Sequence, residues 1–254
     1  MNIVSTLSEQ LLRQPFSKGE DEFNILSKYQ QIAYGYSLIE NSMAVLSDLK
    51  ANKSYIYNGS VAEKLGIAEK GSAKNINSIW EEDIFDRIHP DDLLMKHSLE
   101  LQFFHLLKSM PLEERPDYYV RSKMRMKNND GEYMAIQHRM FYVSGCIVGN
   151  LWLSLCLYDF LPVKQEFDVS EGLIINSSTG ETLQPDVKKC NNILSKREKE
   201  ILSLIEKGKM SKDIAETLSI SIYTINRHRQ NILEKLRVKN SLEACRVAKL
   251  MGLL

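Results

Sequence analysis

Ser195-Lys196-Arg197-Glu198 stands directly before the apolar run Ile201, Leu202, Leu204 and Ile205, and a helix start is the reading that fits it. The Ser195 hydroxyl can bond the backbone N–H of Glu198 while the Glu198 carboxylate reaches back to the N–H of Ser195, a capping box. Gly208 supplies a left-handed residue to end that helix. A second helix is expected over Ser211–Leu218, burying Ile214, Ala215 and Leu218. After the tight turn Ser219-Ile220-Ser221, a third, capped by Ser221, runs from Ile222 to about Leu236. Its apolar residues Ile225, Ile232 and Leu236 fall at i, i+7 and i+11, one stripe. Asn226, Arg227 and Gln230 lie opposite, with Tyr223 a turn earlier. A fourth helix, capped by Asn240 with Glu243 three residues on, carries Leu242, Ala244, Val247, Ala248, Leu250 and Met251.

A short helix, a tight turn and a longer helix with polar side chains outward form the helix-turn-helix pattern, whose second helix enters the major groove. Asn or Gln can bond adenine through two groups, and Arg can do the same to guanine. Two blander readings stand beside this one. A basic helical trio is often only a solvated surface, and His228 alone is more often a structural hydrogen-bonding residue than a DNA contact.

Charge separates the chain. The 254 residues hold 33 Lys and Arg against 33 Asp and Glu, a formal net charge of zero. Residues 191–254 carry 13 basic and 7 acidic side chains, a net of +6, which leaves the first 190 at −6. A uniformly basic nucleic-acid binder is excluded, and a basic part that meets a polyanion is expected. Ser177-Ser178-Thr179-Gly180 and Pro185 mark a linker before the basic part.

The fragments Leu194-Ser195-x-Arg197-Glu198-x-Glu200-Ile201-Leu202, Gly208, Lys212-Asp213-Ile214-Ala215, Leu218-x-Ile220-Ser221-x-x-Thr224-Ile225-x-x-His228-x-x-Asn231-Ile232-x-x-Lys235-Leu236-x-Val238 and Gly252-Leu253-Leu254 closely resemble the LuxR/FixJ/NarL-type DNA-binding domain. The resemblance implies that Asn226, Arg227 and Gln230 read bases. It likewise implies that Lys212, Thr224, His228, Asn231 and Lys235 sit near phosphates, and that the last helix supports dimerisation. The family usually has Lys where this chain has Asn226 and Gly where it has Arg237, so base preference cannot be borrowed from other members and the end of the third helix can differ.

The first 190 residues read as α+β. Val120, Ser122, Met124 and Met126 alternate with Tyr119, Arg121, Lys123, Arg125 and Lys127, a strand with one face packed. Asn129-Asp130-Gly131 turns into a return strand over Tyr133–Val143, with Met134, Ile136, His138, Met140 and Tyr142 on one face. A third strand spans Leu151–Tyr158. Earlier, Met43–Leu49 and Lys53–Tyr57 form a hairpin, and Asp91–Leu107 a helix after Pro90. Ile88-His89-Pro90-Asp91-Asp92, Lys127-Asn128-Asn129-Asp130-Gly131-Glu132-Tyr133 and Gly149-Asn150-Leu151 leading to Leu157-Tyr158-Asp159 resemble a PAS domain over about Ser37–Leu161. Such domains use the concave sheet face as a ligand pocket or a dimerisation surface.

No cofactor is expected, although the PAS resemblance admits an unidentified ligand: haem, flavin or a metabolite. His97 and His105 are the helical haem candidates, against the commoner reading of surface or satisfied core histidines. Cys146 and Cys156 read as core, the four cysteines lack metal spacing, and Met124, Met126, Met134 and Met140 read as ordinary packing. With no phosphate loop, nucleophile elbow or metal-spaced set, the chain is not expected to be an enzyme. Asp83, Asp86, Asp91 and Asp92 are expected to cap the Pro90 helix and stay in water, since a phosphoacceptor receiver needs alternating β and α elements.

The expected architecture is an α+β PAS-like domain, an antiparallel sheet with helices, followed by an all-α four-helix LuxR-type helix-turn-helix domain. Residues 1–36 form an N-terminal helical extension, 37–161 the PAS-like domain, 162–190 a linker or short hairpin and 191–254 the DNA-binding domain. The chain is read as a cytoplasmic transcription regulator, with no signal peptide or membrane span. Double-stranded DNA is its partner, bound as a homodimer, with a small-molecule ligand or RNA polymerase as further partners. The alternative is a protein–protein interaction module whose helical part binds another protein.

Overall fold

The computed structural model describes residues 3–16, 21–145, 149–161, 172–183, 194–236, 238, 240–250 and 253–254. The expectations that fall on Cys146, Pro185, Cys190, Arg237, Met251 and Gly252 lie outside these residues. No helix among the described residues is long and apolar enough to cross a membrane.

Helices α1 (Ile3–Leu12) and α2 (Glu22–Ile39) precede strands β1 (Met43–Asp48) and β2 (Lys53–Asn58). Helix α3 (Ser60–Lys64), strand β3 (Ala73–Ile76), the short α4 (Glu82–Phe85) and the long α5 (Pro90–Ser109) follow. A 3-10 turn at Arg115–Asp117 leads into β4 (Tyr118–Lys127), β5 (Tyr133–Gly145), β6 (Leu151–Phe160), β7 (Leu173–Asn176) and β8 (Thr182–Leu183). The chain closes with α6 (Lys196–Glu206), α7 (Ser211–Thr217), α8 (Ile222–Leu236) and α9 (Ser241–Leu250). Two compact units result: Glu9–Leu93 with Phe103–Pro185, and Asp186–Leu254 with Met1–Ser8 and Leu94–Gln102.

In the first unit the strands make one eight-stranded sheet, in the order β3-β2-β1-β6-β5-β4-β7-β8. Each pairing described is antiparallel, so the receiver-type alternation is absent from the described residues and the α+β class holds. Strand β4 buries Val120, Ser122, Met124 and Met126 and turns its other residues outward, because side chains alternate across a strand. Its partner β5 buries Ile136, His138, Met140 and Tyr142 in step, with Tyr119 opposite Phe141 and Lys127 opposite Tyr133. That register is set by the 128–132 turn, where Gly131 takes φ +86°. Such a value favours glycine, which has no Cβ to clash.

Strands β1 and β6 break the alternation. All of β1 and nearly all of β6 are buried, because α2 covers the second face. Ala33 of α2 packs with Ala44, Leu46, Leu153, Leu155 and Leu157, and Tyr29 and Tyr36 flank that cluster. The Trp152 indole N–H donates to Asp48 Oδ1 at 2.9 Å, so its polar edge is satisfied inside the same cluster. Residues 172–183 form a hairpin whose first strand pairs with β4, Tyr118 standing opposite Asn176. The Ser177–Gly180 stretch is its turn, in which Asn176 Oδ1 accepts from the N–H groups of Ser178 and Thr179.

The acidic group departs from its expected place. Asp83 and Asp86 are exposed, but Asp91 and Asp92 are buried. Arg125 explains the difference for Asp92. Its Nη2 lies 2.6 Å from Asp92 Oδ1, and its Nε and backbone N–H donate to Asp92 Oδ2 at 2.9 and 2.7 Å. A bidentate cation offsets the desolvation that a lone buried carboxylate would suffer. The cap of α5 is His89, whose Nδ1 accepts from the Asp91 N–H, with Pro90 in the first turn, where its missing N–H costs nothing.

The helices α6 to α9 share a core in which Ile201, Leu202, Ile214, Ile225, Ile232 and Leu236 are essentially inaccessible. Each such side chain contributes roughly 1.5–3 kcal/mol on burial. The predicted capping box at Ser195 forms: Glu198 N–H donates to Ser195 Oγ at 3.2 Å and Ser195 N–H to Glu198 Oε2 at 2.7 Å. Gly208 adopts φ +78° just past α6. Ser221 caps α8 through the Thr224 N–H, and Asn240 caps α9 through the Glu243 N–H. In α9, Ala244 and Ala248 are buried, whereas Leu242 is 82% exposed.

Candidate nucleic-acid interface

Helix α8 is the element on which the site is built. At a rise of about 1.5 Å per residue its 15 residues extend roughly 22 Å, enough to lie along a major groove. Ile225, Ile232 and Leu236 anchor one side in the core. That seating turns Asn226, Arg227 and Gln230 outward, and all three are exposed. Tyr223 is 75% exposed beside them and Ile222 50%.

A shallow groove of about 620 Å³ runs along this face, lined by Tyr223, Asn226, Arg227 and Gln230 of α8 and by Asn240 and Ser241 at the start of α9. The structure thus brings the three base-reading candidates to one surface. Lys212 is exposed on α7. Thr224, His228 and Asn231 are half-buried along the flank of α8. The Thr224 hydroxyl lies 2.8 Å from Ser221 Oγ, part of the capping turn. His228 Nδ1 is buried with no hydrogen-bond partner among the described residues.

Lys235 is held differently from the rest of the set. Its Nζ donates to both carboxylate oxygens of Glu198, at 2.8 and 2.6 Å, and the Glu198 side chain is only 3% exposed. This ion pair ties the end of α8 to the first turn of α6. Burial raises the Glu198 pKa, but the bonds from Lys235 and Ser195 outweigh it and hold the carboxyl below its ordinary value.

Arg229 was not among the sequence candidates, and it organises the site from behind. Its Nη1 donates to Ser211 Oγ at 2.7 Å and its Nη2 to Ser241 Oγ at 2.9 Å, so one guanidinium pins α8 to the starts of α7 and α9. A signal existed: Arg229 falls four residues after Ile225 and three before Ile232, on the edge of the buried stripe. Arg197 likewise donates from Nη2 to the Leu218 carbonyl, closing the end of α7. Fixed by these bonds, the outward face offers amides, a guanidinium and a phenol on a rigid helix, which is what hydrogen bonding to base edges requires.

Residues 192–248 match the family described as bacterial regulatory proteins, luxR family (GerE). The four C-terminal helices are therefore a LuxR-family helix-turn-helix domain. The transcriptional regulatory protein DesR of Bacillus subtilis is 44% identical over 70 residues, 28% of this chain and 35% of that protein. The oxygen regulatory protein NreC of Staphylococcus epidermidis is 38% identical over 144 residues, 57% of this chain and 55% of that protein. The chain thus spans between about a third and a little over half the length of these curated relatives. A solved VqmA dimer of Vibrio cholerae, a LuxR-type receptor in the absence of its target DNA, shares 15% identity. It covers 91% of this chain and 88% of that one, with a TM-score of 0.31, too low to carry a structural argument.

Proposed function

We propose that this chain is a transcription regulator that binds duplex DNA in a sequence-specific manner, as a homodimer, through α8. The observation that carries the reading is the exposure of Asn226, Arg227 and Gln230 on one groove-lining face of a helix seated in a LuxR-family domain. Arg227 would read a base through its fork, and Asn226 and Gln230 would supply paired donor and acceptor groups. Lys212, Thr224, His228 and Asn231 would contact phosphates. Lys235 would act through Glu198, holding α8 in place. Two modules are needed because one buries too little surface for strong specificity, and paired recognition helices sit about 34–36 Å apart, one helical turn of DNA.

The N-terminal sheet unit would be PAS-like and sensory, shifting the populations of arrangements in which both DNA-binding domains reach their half-sites. Two relatives, DesR and NreC, are regulatory proteins, which fits a regulatory role for this chain.

Selection of bound sequences from a random duplex library, followed by anisotropy titrations, tests the reading. Arg227→Ala should weaken the selected site by about 1–3 kcal/mol and relax one base position, leaving random duplex almost unchanged. Equal weakening on both duplexes would remove the base-reading assignment. A chain that binds no duplex at low salt would favour the helical domain as a protein-binding module instead.

A further inference from the structure

The sheet unit holds an opening whose lining is chemically distinctive. A cavity of about 330 Å³ lies at the β2–β3 edge of the sheet beside α4. Ile56, Ile76, Ile84 and the half-buried Trp80 form an apolar wall. Asn58, 3% exposed, forms part of the polar wall. Its Nδ2 donates to Ser72 Oγ at 3.1 Å, and the Ser72 hydroxyl spends its own hydrogen on the Glu69 carbonyl at 2.6 Å. Ser72 is therefore the acceptor, which fixes the orientation of the amide. Asn58 Oδ1 is then a buried acceptor with no hydrogen-bond partner among the described residues. Buried acceptors of this kind are rare and costly, and an incoming N–H or O–H group would satisfy this one.

The charge of the same wall narrows the ligand. Glu81, Glu82 and Asp83 line the cavity against Lys74, the one cation among its described lining residues, whose Nζ sits 2.6 Å from Asp83 Oδ2. Glu81 is buried and accepts from the Ser54 hydroxyl at 2.7 Å and the Ser47 hydroxyl at 3.3 Å. The described lining thus has a formal charge of −2, an aromatic face and an unmet acceptor. Anions are disfavoured there, and a neutral apolar molecule would leave the acceptor unmet.

We propose that this cavity is a binding site for a small organic ammonium ion: a protonated amine on a compact apolar or aromatic body. The apolar body packs on the isoleucines, the ammonium donates to the acceptors, and Trp80 contributes a cation–π contact. A volume near the lower end of ligand pockets, which run from about 300 to 1,000 Å³, limits the ligand to a compact molecule. The site stands independently of the sensory reading; only an effect of the amine on DNA binding rests on that reading.

The probe is phenethylammonium, with 2-phenylethanol as its neutral counterpart of the same shape, titrated into the full chain by calorimetry and Trp fluorescence. Phenethylammonium should bind saturably and about tenfold more tightly than the alcohol, and the preference should shrink at high salt. Glu82→Gln changes an exposed residue and should reduce the preference at least about threefold. Trp80→Phe should abolish the emission change, and Asn58→Leu, where thermal unfolding shows it folded, should weaken the amine further. Equal affinity for amine and alcohol, no binding of either, or a Glu82→Gln protein that binds like wild type would overturn the site. Saturable amine binding that leaves duplex affinity unchanged would uphold the site and contradict the sensory role.

Discussion

Lys235→Met separates anchoring from phosphate contact at a residue that serves both expectations. In the structure, Lys235 Nζ makes two short bonds to Glu198, and Glu198 is buried. A hydrogen bond to a charged group contributes about 1.5–3 kcal/mol, and a carboxylate stripped of its cation keeps its desolvation penalty. Lys235 is 23% exposed, so water softens the loss. Glu198 also retains the Ser195 N–H. The net cost is therefore about 2–3 kcal/mol. A helical domain of this size moves by about 4–8 °C per kcal/mol, which places the expected drop at about 8–24 °C. Calorimetry of the full chain, following the transition of the helical domain, measures it. A cycle with Glu198→Gln should show coupling, since both side chains act in one interaction. A pure phosphate contact behaves oppositely: Tm stays put and the salt slope flattens by about one, as expected for Lys212→Ala. A Lys235→Met protein that melts within about 2 °C of wild type would refute the anchoring argument.

Other outcomes follow from the same geometry. Because the Glu198 pKa is lowered on folding, its contribution is complete above the unfolded carboxyl value, about 4.3, and fades as pH falls through the folded value. Glu198→Gln should therefore flatten the acid limb of a stability–pH curve, while an unchanged limb would contradict the pairing. Arg229→Ala leaves Ser211 and Ser241 without their shared donor and should cost the helical domain about 1–2 kcal/mol in urea unfolding, with DNA affinity falling because α8 is less firmly set. Gly59→Ala would place a Cβ 2.3 Å from the Asn41 carbonyl carbon and oxygen, so the sheet unit should lose about 1–3 kcal/mol or more, read as a lowered urea midpoint.

The parts legible from the sequence were those governed by local rules. The Ser195–Glu198 box, the Ser221 and Asn240 caps and the Ile225–Ile232–Leu236 stripe depend on residues within a few turns of one another, and they fall where spacing places them. Strands β4 and β5 were readable because one face is buried and the alternation survives. Strand β3 was not, being short and fixed by a distant partner, and the β7–β8 hairpin was only one of two readings of its segment, its pairing with β4 depending on residues far away in the chain. The burial of Asp92 was equally hidden, since it depends on Arg125, thirty-three residues away. At the site, the outward trio of α8 followed from periodicity, while the hold of Glu198 on Lys235 across thirty-seven residues required the folded geometry.

Salt dependence of duplex binding by the full chain tests the central claim most directly. With a selected site and a random duplex titrated between about 50 and 200 mM salt, affinity for both should fall log-linearly, by about 0.9 per phosphate neutralised. The selected site should stay tighter throughout by a factor that Arg227→Ala reduces. Affinity that is flat in salt, or identical for the two duplexes in wild type, would contradict a DNA-reading α8.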